Sequence, residues 1–322
     1  MELKVLCDEI RKSGSIFSQQ LLESRTMACV DGRFSQFLGS PLLEEGRLIS
    51  ISDPQARPEV LQALREGCAL IYRHCGGWQH ALQKPFGYAG DFALLEGVYD
   101  QNIHPKTKTA VARLIDLWVS STTLPRSVRG RKDTLRVFME DFLRDYQTRG
   151  DKARVLSLAS GAAREIREID QELLQHLDLT LLDLDSRALE FAKRSMQMMP
   201  DALQVTYLRE NIFRVDAKTL FSDQAPFDLI YSFGLFDYLK DADLIQCIQN
   251  FKRYLKPEAY FVFCLKDNRY YDAWFYDWSM DWQFVARTSA DGQRLAQASG
   301  LEIVDTYRVE GNAIEIYICR QV

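Results

Sequence analysis

The sequence has no CxxC pair among its seven cysteines and only four histidines, His74, His80, His104 and His176, scattered along the chain. Metal sites need thiolates or imidazoles at close, repeated spacing, and Cys75 beside His74 offers no second pair, so no metal is expected. No apolar run approaches the roughly 20 residues that a membrane span requires. Met1-Glu2 opens an amphipathic helix instead of a secretory leader. An odd cysteine count without a leader implies free thiols in a reducing compartment, hence a cytoplasmic location. Positive charge is also short: 40 Lys and Arg face 45 Asp and Glu, a formal charge of −5. That balance argues against a surface that tracks nucleic-acid phosphates. The one basic cluster, RSVRGRK at 126–132, reads more readily as the solvated start of a helix than as an anion or carboxylate site.

What the chain does have is apolar content, 47% of 322 residues, enough for a substantial core and for two domains. Up to about residue 150 the apolar spacing is helical. Leu3, Leu6, Ile10, Phe17 and Leu21 make one face, and Phe92, Leu95, Val98 and Tyr99 another. Pro58 begins a further helix, and two more are expected over 107–121 and 131–147. The reading is an all-helical N-terminal domain over 1–150 and a second domain over 151–322. The second half alternates strand and helix, with strands near 153–158, 179–184, 204–208, 227–231, 259–265, 301–308 and 312–319. This is the pattern of a doubly wound, mostly parallel α/β sheet of seven strands. Glu310, Gly311 and Asn312 join the last two in a hairpin. The stretch DNRYYDAWFYDWSMDWQFVART at 267–288 is a long excursion of the kind that carries function.

Residues 154–165, RVLSLASGAARE, run from a buried strand into a small-residue turn and a helix, and LTLLDLD at 179–185 repeats the pattern. Two such units build a nucleoside pocket. Backbone N–H groups at Ala159, Ser160, Gly161 and Ala162 can approach a ligand, and Asp183, with Leu184 after it, can accept both hydroxyls of a ribose. The alternative for Asp183 is a helix cap, a role for which Asp185 and Ser186 are better placed. Arg164 and Glu165, one step past the turn, either reach a polar ligand end or form an exposed ion pair.

In this order of motifs the second half resembles the class I S-adenosylmethionine-dependent methyltransferases. The resemblance implies a Rossmann-like sheet that binds S-adenosylmethionine, with Asp183 on the ribose and Asn211 and Ile212 of RENIF on the adenine, although Asn is also a good turn residue. It also implies that the loop Ser232, Phe233, Gly234 to Asp237 and Tyr238 meets the sulfonium. Ser157 stands where most members have an acid, only Gly161 remains of the usual glycine triplet, and Glu258 replaces a commoner Gly. The methionyl amino group must then be held by something else, and Arg164 and Glu165 on the first helix are the candidates to reach the methionyl carboxylate or amino group in place of the acid absent at Ser157. KPFGYAGDFALLEGVYD at 84–100, followed by SLASGAARE, is similar to a bacterial group labelled as making the methyl ester of 3-hydroxypalmitic acid. It is also similar to homologues that cyclise S-adenosylmethionine into azetidine-2-carboxylic acid.

No Ser-His-Asp, Cys-His or paired-carboxylate arrangement can be assembled from the residues so identified. Catalysis then rests on positioning and sulfonium electrostatics, with Asp237 and Tyr238 as the candidate bases. Tyr88, between Gly87 and Gly90 in a segment that reads as a lid hinge, is the first choice for a ring facing the sulfonium, and Trp282 of the excursion is another. Asp91 follows to bond the backbone or a polar ligand group. The resemblance favours methyl transfer to a small molecule such as a fatty carboxylate. The alternative is attack of the cofactor's own amine on its γ-carbon, since an α-amino group of pKa about 7.7 to 8.0 is roughly a tenth neutral at pH 7 and needs no dedicated base.

Overall fold

The computed structural model describes residues 2–101, 104–200, 203–221 and 225–321. The N-terminal part is helical: α1 (Leu3–Leu22), α2 (Met27–Leu38), α3 (Pro41–Ser52), α4 (Arg57–Gly67), α5 (Ala69–His74), α6 (Gly76–Gln83), α7 (Phe92–Asp100), α8 (Ala110–Ser121) and α9 (Thr123–Arg149). Local chemistry sets the starts. Thr26, Ser40, Asp91 and Thr109 each accept a backbone N–H in the first turn of the helix that follows, and Pro41 and Pro58 sit in first turns where no N–H is needed. The expected face of α1 is buried at Leu6, Ile10, Phe17 and Leu21. Among the described residues no helix is long and apolar enough to cross a membrane.

The rest of the chain contains β1 (Ala153–Leu158), α10 (Arg164–Arg167), α11 (Gln171–Leu174), β2 (Leu177–Asp183), α12 (Ser186–Met196), β3 (Gln204–Arg209), α13 (Ala217–Leu220), β4 (Phe227–Ser232), α14 (Asp241–Phe251), β5 (Leu255–Lys266), α15 (Ala273–Met280), α16 (Ser289–Ala298), β6 (Leu301–Arg308) and β7 (Ile314–Gln321). The seven strands form one sheet in the order β3-β2-β1-β4-β5-β7-β6. β1 to β5 pair in parallel, while β7 runs antiparallel between β5 and β6. Gly311 and Asn312 supply the positive φ of the hairpin turn.

Two compact units result. One comprises Met1–Pro125 together with Asp272–Gln283, the other Arg126–Tyr271 together with Phe284–Val322. The middle of the excursion is therefore a helix, α15, and not a loop. Asp272 caps α15 by accepting the N–H groups of Trp274 and Phe275, and α15 belongs to the helical unit. Phe275 lies edge-on to Phe34, Trp78 and Trp118, and Trp278 packs against Phe37 and Trp78. Arg65 closes the end of α15 by donating to the carbonyls of Asp277 and Trp278 at 2.8 and 2.9 Å. The helix expected at 131–147 likewise starts earlier, at Thr123, so the second unit opens inside α9 instead of at the strand.

In the sheet unit, alternation along the strands sorts residues to two faces. Leu156, Leu158, Ile230, Phe261 and Phe263 face a core completed by Leu244, Ile248 and Phe251 of α14 and Leu295 of α16. The opposite face carries Ser157, Tyr231, Cys264 and Lys266, with Ser157 directly across from Tyr231 in the parallel register. α9 covers this face, its Phe138 and Phe142 lying edge-on to Tyr260 of β5.

Candidate functional site

In an open parallel sheet, ligands lie beyond the carboxyl ends of the strands where strand order reverses, here between β1 and β4. The turn after β1 shows why a ligand could come close. Ala159, Gly161 and Ala163 have φ of 52°, 55° and 48°, so the alternating left-handed backbone of a glycine triplet is kept although two of the three residues are alanine. Asp183, at the end of β2, braces this turn: its Oδ2 accepts the N–H of Gly161 and its Oδ1 that of Asp185, both at 2.8 Å. Burial pushes the Asp183 carboxyl up, and the N–H groups of Asp185 and Gly161 pull it back. Capping of α12 falls to Asp185, which accepts the N–H of Arg187. The buried hydroxyl oxygen of Ser160 has no hydrogen-bond partner.

Beside Asp183, Leu184 is 60% exposed, and after β3 Phe213 is 52% exposed next to buried Ile212. β2 and β3 are neighbours, and the Glu210 N–H bonds the Asp183 carbonyl, so these apolar residues share one edge. Asn211 accepts the N–H of Phe213 at 2.9 Å, a turn bond that aims the segment. A groove of about 700 Å³ adjoins it, walled by Ile212, Phe213, Tyr238, Leu239 and Cys247 among others.

After β4, Ser232 is fully buried and its hydroxyl donates to the carbonyl of Leu158, tying the ends of β1 and β4 together. Phe233 lies edge-on to Tyr231. Gly234 has φ 112°, and a Cβ there would lie 3.0 Å from a guanidinium nitrogen of Arg131. Asp237, one candidate base, accepts the backbone N–H of Lys266 at 2.7 Å and forms a buried ion pair with the Lys266 ammonium. This geometry holds the loop and leaves the carboxylate engaged. Tyr238, the other candidate, is partly exposed with its ring tilted against Phe284 at 5.4 Å.

Several expectations are corrected here. The basic cluster is not a solvated helix start at its far end, since Arg131 is 3% and Lys132 9% exposed. Their spacing from Val128, Leu135 and Met139 places them on the buried stripe of α9. Arg164 turns to Glu168 at 2.5 Å, and Lys132 pairs with the same carboxylate. Glu165 does otherwise. It accepts the Tyr231 hydroxyl at 2.7 Å, and Tyr231 in turn is hydrogen-bonded by Ser157. Burial pushes the Glu165 carboxyl up, while Tyr231 and the charge of Arg131 oppose the shift. Tyr231 was invisible as a site residue because it continues the apolar run Leu229-Ile230 within a fully buried strand. A His–carboxylate pair also forms: His80 Nε2 stands 2.8 and 3.0 Å from the two oxygens of Asp91, which also caps α7.

That pair belongs to the helical unit, as do Tyr88 and Trp282. Tyr88 is 39% exposed between Gly87 and Gly90, both at positive φ, as a tight turn requires. Trp282 is buried, its backbone N–H bonded to the carbonyl of Tyr276. Among the described residues, no group of three or more His, Cys, Asp and Glu side chains could hold a metal ion.

No curated protein sequence matches the chain. A possible exported protein from Bordetella parapertussis has a similar structure over 100% of this chain and 97% of its own, with a TM-score of 0.58 and 16% identity, which shows a shared fold. Magnesium protoporphyrin IX methyltransferase from Synechocystis PCC 6803 is similar over 62% of this chain and 83% of its own, with a TM-score of 0.45 and 9% identity. An S-adenosylmethionine-dependent methyltransferase from Leishmania major is similar over 60% and 74%, with a TM-score of 0.44 and 20% identity. Residues 155–258, which run from β1 into β5 and contain the braced turn, Asp183 and the loop after β4, match a family described as the methyltransferase domain.

Proposed function

We propose that the protein is an S-adenosylmethionine-dependent enzyme that transfers a methyl group to a small molecule. The observation that carries this reading is Asp183, a carboxylate at the end of β2 whose two oxygens brace the glycine-like turn and the start of the next segment. Two backbone bonds leave lone pairs on both oxygens, which suits a ribose diol. The exposed Leu184 and Phe213 give the flat apolar walls that an adenine needs, and the Ser160 hydroxyl offers a further polar group at the turn. S-adenosylmethionine supplies a methyl group on a sulfonium, so the chain's residues have to bind, orient and exclude water.

At the sheet edge Asp237 is held by Lys266, which suits an acceptor already nucleophilic at neutral pH, a carboxylate in particular. A second reading is favoured by Ser157: with no acid on β1 to fix the ammonium, the cofactor's amine could attack its own γ-carbon. The bond from sulfur to that carbon would break, methylthioadenosine would leave, and the azetidinium would lose a proton.

Calorimetric titration tests the first reading. The protein should bind S-adenosylmethionine and S-adenosylhomocysteine, and Asp183→Ala should weaken both at least tenfold. Two hydrogen bonds to a carboxylate are worth about 1.5 to 3 kcal/mol each, and tenfold needs about 1.4. An unchanged affinity in a folded variant would take Asp183 out of the site. Incubation with S-adenosylmethionine alone separates the chemistries: cyclisation gives methylthioadenosine in proportion to enzyme, and methyl transfer leaves the cofactor intact until an acceptor is added.

A further inference from the structure

The face of the sheet beneath α9 contains an arrangement that neither the sheet nor the turn requires. Arg131 reaches it from α9, outside the segment that matches the methyltransferase domain. Its guanidinium lies against Gly234 and acts electrostatically on Glu165, Cys264 and Lys266. Glu165 reaches the same face from α10 and is half-buried. A chain of two hydrogen bonds fixes it, Ser157 donating to Tyr231 and Tyr231 to Glu165, and both donors stand side by side on β1 and β4 where the strand order reverses. A carboxylate and a guanidinium on one wall of the crevice match the two charges of an amino acid, an ammonium and a carboxylate.

We infer that Glu165 and Arg131 hold the amino-acid end of the cofactor, Glu165 binding the ammonium in place of an acid on β1 and Arg131 binding the carboxylate. Tyr231 and Ser157 are positioning residues that aim Glu165. The inference rests on the nucleoside reading of Asp183 and makes it specific: the acid missing from position 157 has been moved one helix onward. It also bears on the chemistry, because a fixed ammonium is not a nucleophile, which favours methyl transfer over cyclisation.

The test compares two ligands that share the nucleoside, S-adenosylhomocysteine and 5′-methylthioadenosine, the second lacking the amino acid. Glu165→Gln should weaken S-adenosylhomocysteine about tenfold and change methylthioadenosine less than twofold, and adding Ser157→Asp should recover part of the loss. Tyr231→Phe should show the same selectivity more weakly. Arg131→Lys, which keeps the charge in the buried position but loses the fork, should weaken only S-adenosylhomocysteine. Equal loss for both ligands, or none, would overturn the inference. So would a native protein that binds methylthioadenosine as tightly as S-adenosylhomocysteine, with the nucleoside reading left standing. A native protein that binds neither would bring down both.

Discussion

Ala159, Ala163 and Glu258 hold backbone angles, φ 52°, 48° and 63°, that glycine adopts freely and other residues adopt at a cost of about 1 to 2 kcal/mol. The turn after β1 is forced into this shape from outside. Asp183 holds the Gly161 N–H, and the Ser160 N–H bonds the carbonyl of Leu182 on the neighbouring strand. Replacing Ala159 or Ala163 with Gly should therefore stabilise the protein, by roughly 0.5 to 1 kcal/mol each after the extra unfolded-chain entropy of glycine is subtracted. Urea unfolding checks this. A lower midpoint in both variants would mean that the methyl groups contribute packing that outweighs the strain. The sequence marked these positions through the resemblance, but loss of two glycines reads there as a changed turn. Conformation imposed by tertiary bonds is not written in the residue that adopts it.

The elements were largely legible. β1 and β6 begin and end where the pattern places them, and β2, β5 and β7 differ only at their ends, where partly exposed residues interrupt the continuous buried run of each strand. α15 was not legible, because aromatics on every side give no periodicity: seven of its eight residues, Trp274 to Met280, are buried. Charge inside a helix stripe is equally hard to read, as Arg131 shows. Asp116 on α8 is a third case. The Thr107 hydroxyl donates to its Oδ2 at 2.6 Å, its buried Oδ1 has no partner, and burial raises the carboxyl to about 6. The unfolded group titrates near 3.9. A pKa raised in the folded state favours folding below the unfolded value, and this advantage is lost as pH rises through about 6. Asp116→Asn should therefore match the native protein at pH 4 and be more stable at pH 8, the difference opening between about 4 and 6. Denaturant midpoints that differ equally at both pH values would show that the carboxyl does not titrate in this range.

At the scale of the whole molecule the chain passes between its two units three times, at 125/126, 271/272 and 283/284. The helical unit is thus made from two separated stretches. Phe34 stacks on Trp118 at 3.7 Å, and Phe275 from the distant stretch closes over both, while Arg65 and Lys84 take their acceptors from Asp277, Trp278 and Asp281. A fragment of residues 1–125 should lack a cooperative urea transition and a sharp near-ultraviolet aromatic spectrum, and joining 272–283 to it through a flexible linker should restore both. Identical unfolding of the two fragments would show that α15 is dispensable to this core. The same connectivity sets the order of events on the ribosome. When residue 125 emerges, the aromatic cluster around Phe34 and Trp118 has no Phe275 to close it, and the sequences of all five parallel strands are made before that residue appears. Residues 1–125 must wait for their last aromatic piece while about 150 further residues are made, so nascent chains carry an open apolar surface through that interval, a stage at which such surface invites aggregation.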